Sequence, residues 1–159
     1  MEIRAGSAGD HDAVVAVWRD ATIAFSGAED VVPEREERAR AHLEAPDAFL
    51  LVAEDDGGIV GMAAARDGRS DEGRGPAIPG LCHVAMVYVA PARWGEGIGQ
   101  RLVDAVLAEA RGRGYVAAQL FTPALNDHAQ RLYEGKGFRR SGRFREAMGL
   151  SLVHYERDL

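Results

Sequence analysis

Apolar residues recur along this chain with two periods, one of helices and one of strands. Ala13, Val14, Val17 and Trp18 share one face of a helix that Asp10 is placed to cap. Pro33 opens a second helix that runs to about Glu44. Ile3-Arg4 starts a short strand, and Phe49–Glu54 and Ile59–Ala65 read as two more, joined by the hairpin turn Asp55-Asp56-Gly57-Gly58. Residues 67–80 are polar and glycine-rich, which predicts a long loop. Leu81–Val89 is a nearly continuous apolar run, the pattern of a central strand. Ile98, Leu102, Val103, Val106, Leu107 and Ala110 then follow the helical period until Gly112 and Gly114 end it. After a strand at Val116–Phe121, Asn126 can cap a helix carrying Ala129, Leu132 and Tyr133, stopped by Gly135 or Gly137. Phe138–Glu146 and Gly149–Arg157 read as two final strands. The order predicts one α/β domain over residues 1–159, with a mixed sheet and helices on both faces.

Composition narrows the classes. A chain of 159 residues, 47% hydrophobic and 28% charged, fits one soluble domain with a sizeable core. The net charge of −6 argues against a sequence-independent grip on nucleic acid. No apolar run approaches the ~18 residues of a membrane span. The opening Met-Glu-Ile-Arg-Ala-Gly lacks the apolar stretch of a signal peptide, so a cytoplasmic location is expected. Cys82 is the one cysteine, so no internal disulfide can form.

Chemistry concentrates in Val89-Ala-Pro-Ala-Arg-Trp-Gly-Glu-Gly-Ile-Gly-Gln100, where a strand runs through Gly95, Gly97 and Gly99 into a helix. Glycine lets a backbone turn tightly and approach a ligand closely. The unpaired amides and partial positive charge of a helix N-terminus suit phosphate or pyrophosphate. Two familiar glycine motifs are excluded. A dinucleotide fingerprint would need glycine where Gln100 or Leu102 sits, and a triphosphate loop would need Gly-Lys followed by Ser or Thr. The histidines His11, His42, His83, His128 and His154 lack metal-ligand spacing. Cys82 and His83, adjacent on a strand, point to opposite faces and cannot form a nucleophile–base pair.

Two blocks resemble the GNAT (Gcn5-related) N-acetyltransferase superfamily. Val87–Gln100 is similar to its acetyl-CoA pyrophosphate loop, and Asn126-Asp-His-Ala-Gln-Arg-Leu-Tyr-Glu-Gly-Lys-Gly-Phe138 to its Asn-x-x-Ala-x-x-Leu-Tyr-Glu-x-x-Gly-Phe block. The resemblance implies a mostly antiparallel mixed sheet of six to seven strands with about four helices. It implies acetyl-CoA as co-substrate, with no metal. Backbone groups of Val87 and Val89 would pair with the pantetheine arm, with Tyr88 between them among the cofactor-binding residues. The amides of Gly95, Glu96, Gly97, Ile98, Gly99 and Gln100 would hold the pyrophosphate, and Trp94 and Asn126 would also bind the cofactor. Tyr133 would protonate the departing CoA thiolate. Trp94 departs from the usual Gln or Arg at the head of the loop, and could pack on the cofactor or on a neighbouring strand. Phe121 departs from the glutamate of the family's ribosomal-protein alanine acetyltransferases, and His83 stands where histone-acetylating members carry a base glutamate. A homodimer through the late strands is expected by analogy.

Residue chemistry sharpens these roles. A tyrosine with its ordinary pKa of ~10 keeps a proton to donate at neutral pH. His83 is the leading base, with Glu54 a second candidate acting through water. Arg139, Arg140, Arg143 and Arg145 form either a solvated strand face or a contact for CoA phosphate or an anionic acceptor. Phe25, Glu29, Asp30 and Glu34 would flank the acceptor groove, where acidity suits an amine. The expected acceptor is a small-molecule amine. A protein terminus or lysine, and a non-catalytic acyl-CoA sensor, stand as alternatives.

Overall fold

The computed structural model describes residues 1–159. Its seven strands are β1 (Glu2–Ala5), β2 (Phe49–Asp55), β3 (Gly58–Arg69), β4 (Ala77–Val89), β5 (Ala117–Pro123), β6 (Arg139–Ala147) and β7 (Leu150–Asp158). They form one sheet in the spatial order β1-β2-β3-β4-β5-β7-β6. β4 and β5 are parallel; every other neighbouring pair is antiparallel. The helices are α1 (His11–Ser26), α2 (Pro33–Glu44), α3 (Ile98–Gly112) and α4 (Asp127–Gly135). The mixed, mostly antiparallel sheet with four helices is the expected architecture.

Strand alternation divides the core into two layers. In β2, Phe49, Leu51 and Ala53 face α3 and α4, whereas Leu50 and Val52 face α1 and α2. α3 buries Leu102, Val103, Val106 and Leu107 against the first layer. Each fully buried side chain of this kind stabilises by about 1.5–3 kcal/mol. α1 supplies Val14, Val15, Val17 and Trp18 to the second. Ala13, expected among them, is exposed, because the inward arc of α1 is centred on Val14 and Trp18.

Two local expectations are corrected. The polar stretch 67–80 is not a long loop: β3 continues to Arg69, β4 begins at Ala77, and a short turn joins them. Asp67 in this stretch finds side-chain partners on neighbouring segments. The Asp67 amide donates to Asp47 at 2.9 Å, and the Tyr115 hydroxyl donates to Asp67 at 2.5 Å. Gly68 leaves room for Leu81, which a Cβ there would meet at 2.5 Å. Asp10 precedes α1, but its side chain does not cap it. The carboxylate accepts from the Ser7 amide at 2.9 Å and from Arg4 at 3.0 Å instead.

A β-bulge in β4 positions everything that follows. Ala65 pairs with Val84 and Ala64 with Met86, which leaves Ala85 as the extra residue. The bulge reverses the two faces of the strand: Cys82 and Val84 pack towards α3, but Met86 packs towards α1. β4 pairs with β5 only where Leu81–His83 meet Ala117–Gln119. Beyond His83 the two strands part.

Candidate active site

The parting of β4 and β5 opens a groove of about 1620 Å³ that reaches both faces of the sheet. Ordinary small-molecule pockets hold ~300–1,000 Å³. One wall is the free edge of β4. The Ala90 amide donates to Val60 of β3 at 2.8 Å. The Val89 carbonyl, on the opposite side of the same peptide, therefore points into the groove. Strand alternation sends the N–H and C=O of Val87 the same way, where no strand lies opposite. Trp94, 51% exposed, donates its indole N–H to the Val89 carbonyl at 2.8 Å. The indole thus closes the far end of the open edge, and of the two packings open to Trp94 the strand is the one seen.

Beyond Trp94 the chain turns through left-handed glycines, Gly95 at φ 86° and Gly97 at φ 82°. An added Cβ at either would meet nothing within 4 Å. Backbone conformation, rather than crowding, is therefore what requires glycine there. Gly97 precedes α3, and Ile98, Gly99 and Gln100 of its first turn line the groove. Their amides have no acceptor within the helix, and the helix dipole adds partial positive charge. Glu96 is the exception: it lies outside the groove lining. Its carboxylate instead accepts from Arg93 at 2.9 Å, and Arg93 also pairs with Asp55, tying the loop to the β2–β3 hairpin.

Across the groove, Asn126 caps α4 by accepting from the Ala129 amide at 3.0 Å. Two turns on, the ring of Tyr133 is buried against Phe138 and Tyr155 with centroids 5.9 and 6.4 Å away, and the residue lines the groove. Burial, with Tyr88 nearby, pushes its hydroxyl above the ordinary tyrosine pKa.

His83 lies on the opposite face of the sheet from Cys82 and also lines the groove. Burial, reinforced by His42 and by Arg145 and Arg66, lowers its pKa to about 4, so the ring is neutral at physiological pH. The Gln119 amide stands between His83 Nδ1 at 3.5 Å and His154 Nε2 at 2.9 Å. Turning that amide over reverses both ring tautomers together. The Cys82 thiol is buried and pushed up to about 12, which makes it a poor nucleophile.

The structure does not bring Glu54 to this site. Its carboxylate is held by Arg4 beside β1, outside the groove lining, after an irregularity in the β2–β3 register at Ala53/Glu54. Glu29, Asp30 and Glu34 are exposed and also outside it, whereas Phe25 lines it. Of the late arginines, Arg143 and Arg145 line the groove, and Arg140 turns to Tyr155 and Gln130. Sequence reasoning missed Thr22, Arg35 and His42, which the packing of α1 and α2 brings to the groove. No local motif marks them.

Residues 14–138 match the acetyltransferase (GNAT) family. N-acetyltransferase family 8 member 2 of Rattus norvegicus is 30% identical over 125 residues, covering 76% of this chain and 53% of that protein. The chain spans about half the length of the curated relatives it matches. Among solved structures, ribosomal-protein-alanine N-acetyltransferase from Brucella melitensis superposes with a TM-score of 0.77 at 26% identity over 100% of both chains. PaiA N-acetyltransferase from Thermoplasma acidophilum, in complex with coenzyme A, shares the fold at a TM-score of 0.70 and 16% identity over 98% of both chains. No helix is long and apolar enough to cross a membrane.

Proposed function

Since this chain belongs to the GNAT family of acetyltransferases, we propose that it moves an acetyl group from acetyl-CoA to a primary amine by direct attack in a ternary complex. One observation carries the reading: the unpaired edge of β4 leads directly into the glycine turn and open N-terminus of α3, with Tyr133 across the same groove.

The residues present suit this co-substrate. An extended pantetheine arm can lie along β4 as an added strand, using the groove-facing groups of Val87 and the N–H of Val89. Trp94 occupies the Val89 carbonyl and so limits the pairing at that end. The amides after Gly97 suit a diphosphate. Open space beside Gly95 and Gly97 leaves the loop accessible to it. Asn126, committed by its side-chain oxygen to α4, keeps its amide N–H₂ for a ligand.

Bound there, acetyl-CoA supplies an activated thioester whose C–S bond breaks as the C–N bond to the amine forms. The chain's residues then handle charge and protons. A groove-facing amide of Val87 stabilises the oxyanion. Tyr133 holds its proton at neutral pH and delivers it to the departing sulfur. His83 accepts the proton the amine loses, and a ring held near 4 hands it on to solvent rather than storing it. This role uses the rotamer of Gln119 that turns its carbonyl to Nδ1, leaving Nε2 with the free lone pair.

Thiol release from acetyl-CoA, followed across a panel of amines with mass-spectrometric detection of product, tests the proposal. An N-acetylated amine is the expected product. Tight CoA binding without turnover of any amine would favour a sensor, and an ester product would indicate transfer to a hydroxyl.

A further inference from the structure

Buried polar side chains are almost always hydrogen-bonded, so the exceptions are informative. Three buried side-chain polar atoms here have no partner: Thr22 Oγ1, Arg35 Nε and His42 Nδ1. All three residues line the groove. Thr22 is only 6% exposed and gains nothing from solvent. They come from α1 and α2, which pack on the face of the sheet opposite α3.

The charge on this side is opposite to that of the chain. The molecule carries a net −6, yet Arg38, Arg66 and Arg145 lie around His42, and Arg35 lines the same groove beside Tyr88. Arg66 lies 3.7 Å from Asp47, and the Arg145 guanidinium sits over the Phe121 ring at 5.7 Å. Arg35 and Arg38 have no ion-pair partner, although four acidic residues lie within α2 itself. Of the acids on the groove wall, Asp67 accepts from the Tyr115 hydroxyl and Asp71 is held by Arg74. Coulomb repulsion among cations that share a partly buried wall is unfavourable unless an anion joins them.

CoA phosphate is poorly placed to be that anion. The diphosphate cradle belongs to α3, which packs on one face of the sheet, whereas the helices carrying Arg35 and Arg38 pack on the other.

We propose that this side of the groove is the acceptor site, and that the acceptor is an amine bearing an anionic group, a carboxylate or a phosphate, close to its amine. Arg35 and Arg38 take the anion, and Thr22 and His42 complete its hydrogen bonds. This reverses the acidic acceptor pocket expected from Glu29, Asp30 and Glu34. The identity of the acceptor rests on the proposed acetyl transfer, whereas the anion pocket stands on geometry alone.

Matched acceptors test it. Each common α-amino acid is compared with its carboxamide, and O-phosphoethanolamine with ethanolamine, by thiol release and by calorimetry on CoA-loaded protein. The anionic member of at least one pair is expected to show a KM at least about tenfold lower, and the responding pair identifies carboxylate or phosphate. Arg35→Gln should raise that KM about 10–100-fold and leave the KM for acetyl-CoA unchanged. Thr22→Val, which keeps the shape and removes the hydroxyl, should raise it roughly 3–10-fold with no loss of Tm. Equal or better use of the uncharged partners, or an unchanged preference in folded Arg35→Gln, overturns the anion pocket while acetyl transfer stands. Anion binding that needs Arg35, without acetylation of any amine, overturns the transfer and keeps the pocket.

Discussion

The two ends of the groove are built from different materials. The glycine-turn end uses main-chain groups: the free edge of β4, two left-handed glycines and the first turn of α3. The opposite end uses side chains from α1, α2, β3 and β6, among them Thr22, Arg35, His42, Arg66 and Arg145. Backbone donors cannot be altered without altering the fold, so they suit a partner that never changes. Side chains can be exchanged singly, so they suit a partner that differs between relatives. Fixed and exchangeable recognition thus have separate structural seats within one cleft.

Breaking the main-chain end should have the largest effect. Gly97→Val forces a β-branched residue into φ 82°, a conformation costing of order 1–3 kcal/mol. CoA affinity should fall at least about 100-fold as the loop rearranges, with far-UV circular dichroism unchanged. Retained affinity would separate the loop from the cofactor. Next, Tyr133→Phe should lower kcat by about 10²–10⁴-fold, the range for a lost general acid, and change CoA affinity by little. A kcat within twofold of the parent would remove Tyr133 as the proton donor.

The side-chain end should respond to pH. His83 titrates near 4 in the folded chain and near ~6.5 when unfolded. Its pKa is depressed because burial disfavours the cation, so the unfolded state takes up the proton first as pH falls. Stability is therefore complete above the unfolded value, declines as pH drops through it, and has lost about 3 kcal/mol from this group by the folded value. His42 and His154 shift in the same direction, also through burial. Urea unfolding at pH 7 and pH 4.5 measures the loss, and His83→Leu should reduce it. In activity, the acidic limb assigned to His83 should lie near pH 4, and its persistence in His83→Ala would remove His83 as base. The smallest effect is expected of Trp94→Phe. It deletes one hydrogen bond to Val89 and should weaken CoA binding or stability by about 1 kcal/mol.

The same division explains what could be read in advance. Gly95, Gly97 and the Asn126 cap follow from local backbone demands, and local demands leave local patterns. The Ala85 bulge leaves none: alternation in Leu81–Val89 looks regular although its two halves face opposite sides. Asp67 and Arg69 resemble loop residues because what holds them is not local in pattern: they pair with Cys82 and Ala77, and Asp67 also meets Asp47 and Tyr115, 20 and 48 residues away. Glu54 looked available because nothing near it in the chain foretells Arg4. Thr22, Arg35 and His42 converge only when α1 and α2 pack on the sheet, so no spacing could announce them.

Titration calorimetry of CoA into the folded protein tests the central claim most directly. One CoA should bind per chain with a negative heat-capacity change as the arm covers the apolar floor of the cleft. Folded protein that gives no heat with CoA or acetyl-CoA at any temperature would contradict the account.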